Sequence, residues 1–352
     1  MKVKVIGAGS IGNHLTQAAR RMGWNVVVVD NDPKALVRMR EEIYPKRYGE
    51  WDDEIQLFVS GSAEEPRSCF DIIMVGTPPD VRMRVAREAL QEKPRLLHLE
   101  KPLCAPNLHG IQELLNEKGD TLVTVGYNHA VAPSIDMVVK LVRRHTIGNI
   151  ITIDVEFREH WQGIFNAHSW LFGPEDSYLG YWQRGGGAGG EHSHALHLWM
   201  YLAFISQNGL VDEVKAMFAI NRGEKMSSVE YDEIAAFLLK TNFGCMGSVV
   251  QDVVTKPPRK WARLQGTKGW VEWTCESHND FVRYSDGGDA PKVISFPKNR
   301  PDDFFTEMLH YDKLFKGEIK SYDSPLDFKW GLRVMKVLNY AYNQLPLDTV
   351  NY

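Results

Sequence analysis

Long apolar runs are missing from this chain: nowhere do its 352 residues approach the roughly 20 consecutive apolar positions that a membrane-spanning helix needs. The first strand starts at Lys2, which leaves no room for a signal peptide, so a cytoplasmic protein that engages no membrane is expected. An excess of one charge is missing too. The 41 lysines and arginines against 45 acids give a net charge of -4, without the basic surplus that binding to nucleic acid or anionic lipid requires. Any anionic ligand must therefore be met locally. Cysteine is scarce: Cys69, Cys104, Cys245 and Cys275 lie far apart with no CxxC spacing, which argues against a zinc site or redox pair and for reduced, structural thiols. There are no internal repeats, and only Gly185 to Gly190 is of low complexity. The chain as a whole, 43% hydrophobic, is long enough for two cores. Ten tryptophans and 13 tyrosines are many, and fit either the walls of a sugar site or a large subunit interface.

The first third alternates strand and helix. Lys2 to Ile6 is a short apolar run, followed by the glycine-rich GAGSIG and a helical pattern through Leu15, Ala18, Ala19 and Met22. Val26 to Val29 is a β-branched run closing on Asp30, as expected of a parallel strand buried on both faces. Strands at Asp71 to Val75, Leu96 to Leu99 and Thr121 to Val125, with helices at Asp80 to Gln91 and Leu108 to Gly119, complete a doubly wound α/β domain over residues 1–125. Beyond Gly126 the period changes to two, as in Ile151, Ile153, Val155 and Phe157. Further short runs at 214–220, 234–241, 247–254, 262–265 and 270–273 predict an α+β domain over 126–352, with a large, mostly antiparallel open sheet of at least five strands. A closing helix at 326–342 could pack back on the first domain. The aromatic, charged stretch Tyr44 to Trp51 has no clear period and yields no function.

Gly7, Gly9 and Gly12 supply GxGxxG spacing between a strand and a helix, with Ser10 and Ile11 opening that helix toward a pyrophosphate. Alone the motif is weak. Here an acid, Asp30, ends the second strand, where it would bind the adenosine ribose hydroxyls and repel the extra phosphate of NADP. NAD is therefore the expected cofactor, with NADP possible because Lys34 and Arg38 stand close in sequence.

Glu100-Lys101-Pro102 follows a buried strand, which would bring an ammonium group to the carboxyl edge of the sheet. Taken alone, this is a surface lysine before a turn. With the glycine turn upstream, Thr77-Pro78-Pro79 between them and Gly126-Tyr127-Asn128 after the next strand, the order resembles the Gfo/Idh/MocA oxidoreductases, the glucose-fructose oxidoreductase and inositol dehydrogenase family, over essentially the whole chain. Gly185-Gly186-Gly187 followed by Glu191-His192-Ser193-His194 and His197 resembles that family's catalytic helix, with Glu191 where an Asp is common and His197 in a later acidic position. The usual arginine after the asparagine is replaced by His129-Ala130.

The resemblance implies that Thr77, Pro78, Glu100, Lys101 and Asn128 join the cofactor site, and that Lys101, Asn128, His160, Trp182, Arg184, His194 and His197 line a site for a sugar-like small molecule. His168, Trp170, Tyr178 and Tyr181 crowd the segment before the glycine turn; aromatic core is an equal reading for each. On one continuous helix Glu191, His194 and His197 would spread over one broad face. His192, His194 and His197 would not share a face, so no metal is expected. The implied reaction is hydride transfer between nicotinamide and a secondary alcohol or ketone of a sugar, sugar derivative or nucleotide sugar, and the Glu-x-Ser-His spacing resembles members of surface-glycan and nucleotide-sugar pathways. His194 would act as acid/base, Glu191 would orient it, and Lys101 would polarise the oxygen. Alternatives are an NAD-dependent, redox-assisted glycoside hydrolase and a non-catalytic NAD-binding sensor. A homodimer or homotetramer is expected.

Overall fold

A computed structural model of the chain describes residues 1–166, 170–222, 229–288, 290–299 and 301–344, so His168 lies outside the described residues. In chain order come β1 (Lys2–Ile6), α1 (Ser10–Arg21), β2 (Asn25–Asp30), α2 (Pro33–Arg38), a π-helical turn (Met39–Ile43) and α3 (Tyr44–Tyr48). Then follow β3 (Gln56–Val59), β4 (Ile72–Val75), α4 (Pro79–Leu90), β5 (Leu96–Leu99), α5 (Ile111–Glu117) and β6 (Leu122–Val125). The chain continues through α6 (Pro133–Arg143), β7 (Ile150–Arg158), α7 (Gln162–Asn166), α8 (Gly187–Glu191), α9 (His194–Ile205), β8 (Val211–Arg222), β9 (Glu230–Thr241) and β10 (Met246–Asp252). It ends in β11 (Arg259–Gly266), β12 (Trp270–Cys275), β13 (Asn279–Ser285), β14 (Lys292–Pro297), α10 (Asp302–Phe315) and α11 (Phe328–Tyr342).

Two compact units result. The first comprises Met1–Leu103, His109–Ala132 and Lys298–Phe328; the second comprises Cys104–Leu108, Pro133–Pro297 and the chain from Lys329 onward. Where the sequence reading draws one boundary near Gly126, the contacts return 298–328 to the first unit. All but the first residue of α11 groups with the second, while just ahead of it Val125 N–H donates to Leu326 O at 2.8 Å.

The first unit is a parallel sheet in the order β3-β2-β1-β4-β5-β6. Val3, Val5, Val28 and all four residues of β4 are fully buried, as strands covered by helices on both faces require. The second unit is an eight-stranded sheet, β14-β13-β12-β11-β7-β10-β9-β8, antiparallel except where β7 meets β10. Along β7, Ile153, Val155 and Phe157 are buried as the alternation predicts, whereas Ile151 is 50% exposed. The cause is a bulge: Gln265 pairs with Thr152 and Gly266 with Ile150, so Ile151 is the extra residue and turns outward.

Candidate active site

Five neighbouring strands of the first unit end in the residues singled out above: Asp30 closes β2, Gly7–Gly12 follows β1, Thr77 follows β4, Lys101 follows β5 and Asn128 follows β6. A crevice at the carboxyl ends of a sheet, beside the strand where the order reverses, is where open α/β sheets bind ligands. The glycine turn is shaped for close approach. Gly7 has φ +107, and a Cβ on Gly12 would lie 1.8 Å from Gly7 O, so α1 packs on β1 only through glycine. A Cβ on Gly9 would meet nothing within 4 Å. No protein atom requires glycine there, which fits a turn kept bare for a ligand. Asp30 accepts Ala8 N–H at 2.7 Å on Oδ2 and Asp32 N–H at 2.8 Å on Oδ1, so the carboxylate grips both the glycine turn and its own loop. Thr77 Oγ1 is buried with no hydrogen-bond partner, an unmet polar atom at the same edge. Ser10 is buried, Ile11 half-buried and Pro78 exposed.

Arg82, on α4, is the residue that sequence reasoning passes over. It is buried at 2%, and its guanidinium donates to Thr77 O at 3.1 Å and Glu100 O at 2.5 Å, with further bonds to Thr77 O and Pro102 O. One side chain thus fixes both the Thr77-Pro78 and Glu100-Lys101-Pro102 loops by their carbonyls. An arginine inside an otherwise helical apolar stripe was the available signal. Lys101 is half-buried, its N–H donating to Glu100 Oε2 at 3.2 Å. Gly126 N–H donates to Leu99 O at 2.9 Å, and Asn128 opens a short 3-10 turn, buried at 8%.

His98, Glu100 and Glu307 bring ligand-type atoms within 4.8 Å of one another, the only such group among the described residues. It is a poor metal site. Glu100 approaches His98 Nε2 (3.3 Å) and Glu307 approaches Nδ1 (3.9 Å), so the carboxylates straddle the ring and cannot share a cation with one nitrogen.

In the second unit the expected single helix is broken. α8 ends at Glu191, His192 and Ser193 form a turn, and α9 starts at His194. Glu191 and His194, both half-buried, flank that turn, and the His194 ring stacks on Phe157 at 6.0 Å. His192 is buried at 5%. His197 is buried at 1% and packs against Tyr201 and Trp330, an aromatic cluster rather than an open wall.

The glycine turn is anchored by groups that no motif marks. Asp232, fully buried on β9, accepts Gly189 N–H at 2.6 Å and the Tyr342 hydroxyl at 2.8 Å, and burial pushes its pKa up to about 6. Gly187 (φ +74) has room for no side chain, since a Cβ would stand 2.0 Å from Asp232 Oδ1. Gln251 donates its amide to Ala188 O and Gly189 O at 2.9 and 3.1 Å. Tyr342 also stacks on Trp182 at 4.7 Å, and Trp182 Nε1–H donates to Glu230 at 3.0 Å. His160 Nδ1 accepts Gln162 N–H at 2.9 Å, which leaves Nε2 to carry the ring proton. Arg184 is exposed, its guanidinium 5.6 Å from the Tyr181 ring.

Residues 135–272 match the GFO/IDH/MocA C-terminal domain, and residues 3–80 match a TrkA-N domain. The GFO/IDH/MocA match lies wholly within the second unit. Among solved structures of the same fold, an NAD binding oxidoreductase from Klebsiella pneumoniae is 17% identical with a TM-score of 0.74, covering 98% of this chain and 96% of the other. The WlbA dehydrogenase from Bordetella pertussis, in complex with NADH and UDP-GlcNAcA, is 20% identical with a TM-score of 0.68, covering 99% and 98%. A glycerol-3-phosphate dehydrogenase [NAD(P)+] from Streptococcus sanguinis (strain SK36) is 27% identical over 180 residues, 47% of this chain, and the match spans half of that relative.

Proposed function

We propose that this protein is an NAD-dependent dehydrogenase of the GFO/IDH/MocA family, acting on a secondary hydroxyl of a sugar or nucleotide sugar. The observation that carries the reading is the alignment of Asp30, the bare Gly9 turn, Thr77, Lys101 and Asn128 along the carboxyl edge of five adjacent strands. Asp30 and the Gly7–Gly12 turn would hold the adenosine ribose and pyrophosphate, with Thr77, Glu100 and Asn128 toward the nicotinamide. Bound there, NAD would supply the hydride acceptor. The WlbA likeness supports the substrate class, since that protein holds NADH and a nucleotide sugar.

In this reading His194 takes the proton that leaves the substrate hydroxyl and Lys101 stabilises the charge that builds on the same oxygen. Glu191 orients His194. The half-buried Trp182, His160 and exposed Arg184 supply the mixed polar and aromatic wall that a polyol needs. We also read the protein as cytoplasmic, and as a homo-oligomer because Met217, Leu238 and Met246 stand exposed on one face of β8–β10 by register. Substituting Lys101→Met or His194→Ala is expected to lower kcat by about 100-fold or more with NADH binding retained, the contribution of general acid/base catalysis. Parent turnover in either folded variant would refute the assignment.

A further inference from the structure

Behind the Glu100-Lys101-Pro102 turn the first unit buries, against Glu100, three ionisable groups that the proposed chemistry does not use. His98 on β5 and Glu307 and Tyr311 on α10 have no exposed surface, and Glu100 is 4% exposed. The Tyr311 hydroxyl lies 2.6 Å from His98 Nδ1, 3.1 Å from Glu307 Oε1 and 3.3 Å from Thr124 Oγ1. A phenol has one proton to give and two lone pairs to fill. While Glu307 is ionised, Tyr311 donates to it and accepts from Thr124, so its contact with His98 requires a proton on Nδ1. The other ring nitrogen, Nε2, faces Glu100 Oε1, and a carboxylate can only accept. Both nitrogens therefore carry protons. His98 is an imidazolium held between Glu100 on one side and the Tyr311–Glu307 pair on the other.

Glu307 is the weak point of this arrangement. Its Oε2 is buried with no hydrogen-bond partner, and burial pushes its pKa up to about 7. Burial draws His98 down, but Glu307 and Glu100 outweigh it and raise it; burial draws Glu100 up, but His98, Arg82 and Lys101 outweigh it and lower it. Those are the charges facing the cluster: Arg82 from α4, Lys101 from the turn, and the two carboxylates. When Glu307 is protonated, Glu100 is the only carboxylate that draws on His98. When Glu307 ionises, two carboxylates compete for it.

Glu100 is also what the turn rests on. Its Oε2 accepts Lys101 N–H, and a Cβ on Gly126 would lie 3.0 Å from both Glu100 Oε1 and His98 Cε1. We infer that Glu307, Tyr311 and His98 are positioning residues that act through Glu100 on Lys101 and the Gly126–Asn128 turn, so that this edge of the proposed nucleotide site is held firmly when Glu307 carries a proton and loosened when it does not. The link to cofactor affinity rests on the dehydrogenase reading; the link to Lys101 does not.

The test follows the Lys101 backbone amide in the full chain labelled with 15N-lysine, assigned by its loss in Lys101→Arg. With wild type the amide shift is expected to move in a single step with a midpoint near 7. The step disappears in Glu307→Gln, which keeps shape without charge, and in Tyr311→Phe, which cuts the link. An amide that does not titrate in wild type, or one that keeps its step in Glu307→Gln, overturns the inference. NADH fluorescence titrations on the same samples are expected to show affinity falling severalfold as pH rises through this range in wild type and staying flat in Glu307→Gln. Equal pH dependence in both overturns the link to the nucleotide edge. Failure of NADH to bind at any pH overturns the dehydrogenase reading instead, and the amide step still decides the relay.

Discussion

Asp30 holds two backbone amides, Ala8 N–H and Asp32 N–H, with a carboxylate that still has lone pairs to offer. In the proposed site its charge would exclude a second phosphate on the ribose, while its hydrogen bonds set the glycine turn. The two roles separate in a variant. Asp30→Ala is expected to weaken NADH binding, because the turn loses its acceptor, and to weaken NADPH binding less, so that the ratio of the two Kd values moves toward NADP. An unchanged ratio would remove Asp30 from cofactor selection. Single residues outside the motifs matter as much: Arg82 ties two loops of the site together through carbonyls.

At the scale of elements, the five-residue α8 cannot be stable by itself and is held by what it touches. Asp232 supplies that hold at a cost. Its pKa is raised in the folded state, so the folded protein binds more protons than the unfolded chain between about 4 and about 6, and the stability Asp232 gives is lost as pH rises across that window. Asp232→Asn, which keeps one acceptor, is expected to abolish this slope. Thermal unfolding of both proteins from pH 4 to 7 checks it: parallel curves would mean Asp232 ionises freely. The elements that sequence periodicity revealed are those with a clean apolar pattern, such as β1, β2, β4 and β7. α10 stayed hidden because its buried face carries Glu307, His310 and Tyr311 beside Phe304 and Met308, which erases the apolar stripe. Tyr44 to Trp51 resisted because a π turn precedes it and breaks the 3.6-residue period. Its rings turn out to pack on each other and on α1, where Tyr48 OH meets His14 Nδ1 at 2.6 Å. α6 was legible and passed over: Ile135, Val138, Val139 and Val142 recur at helical spacing after Pro133.

At the scale of the whole molecule, one chain builds two units by leaving the first at Ala132 and returning to it at Lys298. That excursion explains why the site was readable only in part. Gly7, Asp30 and Lys101 lie in contiguous strand-turn-helix segments, so local pattern suffices. Glu307 and Asp232 reach their partners across 209 residues to His98 and 43 to Gly189, separations at which one sequence carries no pairing signal. The central claim is hydride transfer to NAD from a sugar-like hydroxyl, and it is tested most directly by incubating the protein with NAD and a panel of sugars, sugar acids and nucleotide sugars while measuring reduced nicotinamide and product in the same wells. The account predicts NADH formed in equal amount with a carbonyl product from one substrate. Product appearing without net NADH would contradict it.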